Sequence, residues 1–123
     1  MVRLALAAAL ALAPVAATAA QSDNATPAQN LDCAIWASIV IGNSDDEAVT
    51  SGLGMILGYF IGLYEAATGN DIDEAMVARA SVITETELEA LDTTCSARMV
   101  AYGERLGALG SRMQAMGGEA PAN

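Results

Sequence analysis

The residues able to do chemistry in this 123-residue chain are few, and their spacing narrows the chemistry further. There is no histidine and no lysine. Imidazole bases, imidazole metal sites, Schiff-base lysines and the phosphate-loop lysine are therefore excluded, and carboxylates are the general bases that remain. The carboxylates cluster at Asp45-Asp46-Glu47, Asp71-Asp73-Glu74 and Glu85-Glu87-Glu89. Each cluster falls in the first turns of an expected helix, where exposed N–H groups and the helix dipole favour negative charge, so the clusters need no metal or substrate to explain them. The run Asn70-Asp71-Ile72-Asp73-Glu74 lacks the later glycine and glutamate that a calcium loop requires. No catalytic, cofactor-binding or metal-ligating residue is assigned, and an enzymatic role is not expected.

Two cysteines, Cys33 and Cys95, carry the remaining covalent chemistry. They have neither a CxxC spacing nor a cationic neighbour that would mark a redox-active pair. Their context is set by the start of the chain. Met1-Val2-Arg3 is a short cationic segment, Leu4 to Ala17 is apolar but for Pro14, and Ala17-Thr18-Ala19 has the small residues of a cleavage site. Residues 1–20 thus read as a secretory signal peptide, too short and too alanine-rich for a membrane anchor, and the expected location is periplasmic or secreted. In that oxidising route the two cysteines are expected to form a disulfide, closing a loop worth roughly 4 kcal/mol by chain entropy. All 15 carboxylates lie beyond residue 20 with only four arginines, a side-chain charge of −11. Nucleic acid is excluded as a partner, and anionic membranes are disfavoured.

The elements that must position these groups are helical. After a loose tail over 21–26, Thr26, Pro27 and Gln29 form a helix start, and the pattern predicts a first helix over 27–41. Ser44 and Glu47 open a second over 45–68, Asp71 and Glu74 a third over 72–82, and Thr84 and Glu87 a fourth over 85–116. Strand signals are absent. The fold class is all-α: a small disulfide-stapled helical bundle of four helices within a domain over 27–118, followed by a tail over 119–123. The fourth helix carries Leu88, Leu91, Cys95, Met99, Tyr102, Leu106, Leu109, Met113 and Met116 along one face.

Two surface patterns are candidate interaction sites. Gly54, Gly58 and Gly62 recur every four residues in the second helix, inside an uncharged run from Ala48 to Tyr64. Because interior glycines cost ~1 kcal/mol each against alanine, a close approach is expected there. It would come from the Gly103 and Gly107 region of helix four at the bundle centre, or from self-association or a membrane through small-xxx-small packing. Arg98, Arg105 and Arg112 recur every seven residues beside the apolar face of the fourth helix. They form either a snorkelling edge paired with nearby carboxylates or a stripe for an anionic partner. Trp36, Tyr59, Phe60 and Tyr64 read as core aromatics.

Cys33 followed by Ala34, Ile35 and Trp36, with Cys95 some sixty residues on, resembles the small periplasmic helical proteins of the HdeA and HdeB acid-stress chaperone family over about Leu31 to Arg98. The resemblance implies a protein inert when folded at neutral pH that loosens in acid and shields unfolded clients with apolar surface. The chain differs from that family in lacking lysine, so full protonation of its carboxylates leaves only four arginines and the N-terminus. The expectation is a non-enzymatic periplasmic protein acting through protein contacts, with a protein partner or client, in acid or envelope stress. The alternatives are a specific binding or immunity-type module for an exported partner, or a membrane-associated, self-assembling protein using the second helix, with a homodimer as one form.

Overall fold

The computed structural model describes residues 24–118. The expected signal peptide over 1–20, the first half of the expected 21–26 tail and the expected tail over 119–123 lie outside the described residues. The chain forms four α-helices, α1 (Pro27–Gly42), α2 (Glu47–Thr68), α3 (Asp73–Ala80) and α4 (Glu85–Gly117), and no strand among the described residues.

The helix starts are set by local hydrogen bonding. At α1 the Thr26 hydroxyl accepts from the Gln29 N–H while the Gln29 side chain accepts from the Thr26 N–H, and Thr84 with Glu87 repeats that exchange at α4. Two starts differ from expectation. Asp46, not Ser44, caps α2, its carboxylate accepting from the N–H groups of Ala48 and Val49; Ser44 is used one step earlier, accepting from the Asp46 N–H. An aspartate so placed meets two orphan donors at once, which the single hydroxyl of Ser44 does not. At α3 the cap position is Ile72, without a side-chain cap. Its side chain is buried in the core, and its N–H donates to the Glu65 carboxylate of α2 at 3.2 Å instead. Burial of an isoleucine outweighs the cap that Asp71 offers. Between α2 and α3, Gly69 takes the left-handed conformation (φ 72°) that ends a helix without a Cβ penalty.

The centre of the molecule is α1, not α2. Five consecutive residues of α1, Cys33 to Ala37, are buried, with Asn30 one turn earlier. A helix buried nearly all round suits the run Cys-Ala-Ile-Trp-Ala, whose small members let neighbours approach from several sides. α2 packs along it with Leu53, Ile56 and Phe60, while α3 and α4 meet other parts of its surface. The pairs Asn30 with Arg98, Cys33 with Cys95 and Trp36 with Asp92 step in opposite senses along α1 and α4, so these two helices are antiparallel.

Cys33 and Cys95 are bonded, both fully buried. The bond fastens the central helix to the first third of α4. Arg79 of α3 bridges Asp32 of α1 (2.8 Å) and Glu87 of α4 (3.0 Å), tying three helices together.

A candidate interaction surface on the distal half of the fourth helix

α4 outruns the body it packs on. Continuing the antiparallel step, α1 ends at Pro27 near the level of Ala101, whereas α4 runs on to Gly117, about 24 Å farther at the usual rise per residue. Tyr102 is stacked on Tyr59 of α2, ring centroids 4.0 Å apart. Beyond it the apolar face expected to lie in the bundle is uncovered. Met99 and Tyr102 are half-buried, Leu106 is 38 % exposed, Leu109 49 %, Met113 63 % and Met116 74 %. Such a steady rise along one face marks a helix leaving its support, not scattered surface hydrophobes.

The register of this face is regular. Met99, Tyr102, Leu106, Leu109, Met113 and Met116 alternate steps of three and four, the seam of a heptad repeat. One flank is arginine in every heptad (Arg98, Arg105, Arg112) and the other is glycine in every heptad (Gly103, Gly110, Gly117). The three arginines of the sequence pattern therefore share an edge, but they do different things. Arg98 belongs to the body. It donates to the Oδ1 of buried Asn30, lies 3.3 Å from Cys33 Sγ and sits over the Phe60 ring, 4.7 Å from its centroid. Arg105 and Arg112 lie on the exposed arm and form no ion pair among the described residues. The expectation that the cysteines have no cationic neighbour is corrected by Arg98, which lies against Cys33 Sγ. The pointer was its place one turn after Cys95, which puts it on the same helix face.

The glycine pattern of α2 has a different outcome from the expected burial at the bundle centre. Gly54, Gly58 and Gly62 are exposed, and a Cβ at any of them would meet nothing within 4 Å; the same holds for Gly103 and Gly107. The two glycine regions do not meet. The reason is that α2 already has a one-sided apolar stripe at Leu53, Ile56 and Phe60, and that stripe, not the glycine face, turns toward α1. Met55 stands exposed among the outward glycines. α2 is also the one described helix long and apolar enough to cross a membrane. Of the aromatics, Trp36 and Phe60 are buried and Tyr59 and Tyr64 half-buried; Trp36 donates its indole N–H to Asp92 at 3.1 Å.

The carboxylate clusters are spread over three helix starts, and no group able to hold a metal forms among the described residues. Glu87 is strongly shifted. The Thr84 N–H, then the Arg79 guanidinium and the Thr84 hydroxyl, hold its carboxyl down to about 2, and Arg79 is raised in turn. A half-open cavity of about 470 Å³ lies beside the disulfide, floored by Cys33 and Leu91 and rimmed by Gln29, Asp32, Thr94 and Arg98. Its charged groups are engaged in the fold, Asp32 with Arg79 and Arg98 with Asn30.

No family model, curated protein or solved structure matches the chain.

Proposed function

We propose that this is a non-enzymatic helical protein that works by holding other proteins, and that the distal arm of α4 is the holding element. The observation that carries this reading is the graded exposure of the heptad seam from Leu106 to Met116. A 15-residue helical arm with four glycines is a poor helix on its own, since isolated helices of that length are marginal even without glycine, and an apolar face in water adds a further cost. A partner that covers the seam removes both costs.

The resemblance to periplasmic acid-stress chaperones supports a setting in the envelope, and the cleavable start of the chain supports export. The geometry favours contact at neutral pH over acid-triggered exposure, because the apolar surface is already presented while the body is fastened by the disulfide. Methionines at two of the four exposed seam positions suit a surface that adapts to its partner.

A photo-crosslinking residue placed at Leu109, in cells expressing the protein, tests the reading. Protein adducts at Leu109, absent when the same residue replaces exposed Val77 of α3, are the expected result. Equal labelling at both positions, or adducts to lipid alone, would overturn it.

A second reading rests on α2. Its glycine face, Met55 and its 22-residue length support association with a membrane. Recovery of the protein in the membrane fraction after an alkaline wash, lost on Gly58→Arg, would support it.

A further inference from the structure

We propose that the arm of α4 takes an acidic amphipathic helix of a partner protein, packed along Leu106, Leu109, Met113 and Met116 with its carboxylates against Arg105 and Arg112. The inference rests on the protein-contact reading above and names the partner's chemistry. The first heptad of the seam shows how the surface is used: Met99 and Tyr102 pack on the core and Arg98 closes over Phe60 of α2. The following heptads repeat those residue classes with no helix alongside among the described residues.

The two flanks specify the occupant. In a heptad pairing each flank of one helix faces a flank of the other, so the arginine edge calls for carboxylates. The glycine edge leaves a trough into which bulky side chains of the partner's other flank fit. A second copy of this chain meets neither demand. In antiparallel pairing Arg105 of one copy faces the region of Arg112 in the other, and glycine faces glycine. In parallel pairing both bodies lie on the seam side of their helices, at the same level, and collide.

An anionic bilayer is also a poor fit. Residues 24–98 carry twelve carboxylates and two arginines, and a helix lying on a membrane brings that body to the lipid plane. A partner helix need touch only the arm. The arm carries Glu104, Arg105 and Arg112 and extends about 24 Å, well beyond the ~8 Å Debye length at physiological salt, so the repulsion of the body is screened there.

The test uses the oxidised protein and two synthetic helical peptides with leucine at the seam positions, one flanked by glutamate and one by lysine. The glutamate peptide is expected to bind at least about tenfold more tightly, roughly 1.4 kcal/mol, with affinity falling as salt rises. Leu109→Ser should abolish binding, and the double variant Arg105→Glu, Arg112→Glu should reverse the preference while leaving the circular dichroism of the body unchanged. Equal affinity for both peptides would overturn the proposal. So would a dimer in sedimentation velocity that Leu109→Ser dissolves, or binding to phosphatidylglycerol vesicles in place of peptide. If neither peptide binds while Leu109 still crosslinks to protein, the acidic-helix assignment fails and the protein-contact reading stands.

Discussion

Arg98 joins three parts of the molecule: the buried amide of Asn30 on α1, the Cys33 sulfur and the Phe60 ring of α2. Replacing it with methionine keeps the apolar stem but leaves a buried carbonyl oxygen without that donor, and the expected loss is about 1–3 kcal/mol in urea unfolding. Arg105→Met, on the exposed arm, should change stability by less than about 0.5 kcal/mol. Glu87 makes a prediction of a different kind. Its folded value of about 2 lies below its ordinary 4.5, so the carboxylate contributes stability that is fully present above pH 4.5 and is lost as pH falls toward 2. A Glu87→Gln variant should therefore be less stable at neutral pH, and its unfolding midpoint should fall less steeply between those two pH values. Identical slopes for variant and parent would remove Glu87 from the acid response. These roles could not be read from residue type alone: Arg98 and Arg105 sit in the same sequence pattern, and only the end of α1 separates a bound arginine from an exposed one.

At the scale of the helices, the caps of α1 and α4 and the turn glycine were legible in the sequence because they act within three or four residues, whereas the caps of α2 and α3 were not. Thr26-Gln29, Thr84-Glu87 and Gly69 stand where expected, and all four helices are present. Which helix lies at the centre was not legible. α2 is the more uniformly apolar helix, yet α1 is the one surrounded, because burial is decided by which neighbours arrive and not by a helix's own composition. The seam of α4 was visible as a continuous stripe, but periodicity does not say where the supporting helix stops. The outward glycines of α2 give a direct check: Gly58→Ala adds a methyl with nothing within 4 Å and should stabilise the protein by ~0.5–1 kcal/mol in thermal unfolding. A destabilised variant would mean that this face is packed in solution. For α4, hydrogen exchange should divide the helix in two. Amides of the arm should exchange early, while those near Cys95, and those of Cys33 to Ala37 in α1, should be the last.

For the whole molecule, stability is concentrated at one place. The disulfide closes a loop that holds most of α1, all of α2 and α3 and the start of α4, and reducing it should cost roughly 4 kcal/mol, read as a lowered unfolding midpoint in the presence of a thiol. Charge is divided as well: twelve carboxylates and two arginines over residues 24–98, then Glu104 with Arg105 and Arg112 along the arm. The same bond gives α4 a mechanical character. Cys95 is a fulcrum, with a short end held by α1 and α3 and a long end of about 33 Å to Gly117. A tilt of ~10° at that pivot sweeps the tip through about 6 Å at the helix rise of 1.5 Å per residue. Repacking of a few ångströms around Tyr59 and Tyr102 would thus be magnified at Met116, so the arm is a lever through which strain in the body becomes displacement of whatever is held at its end.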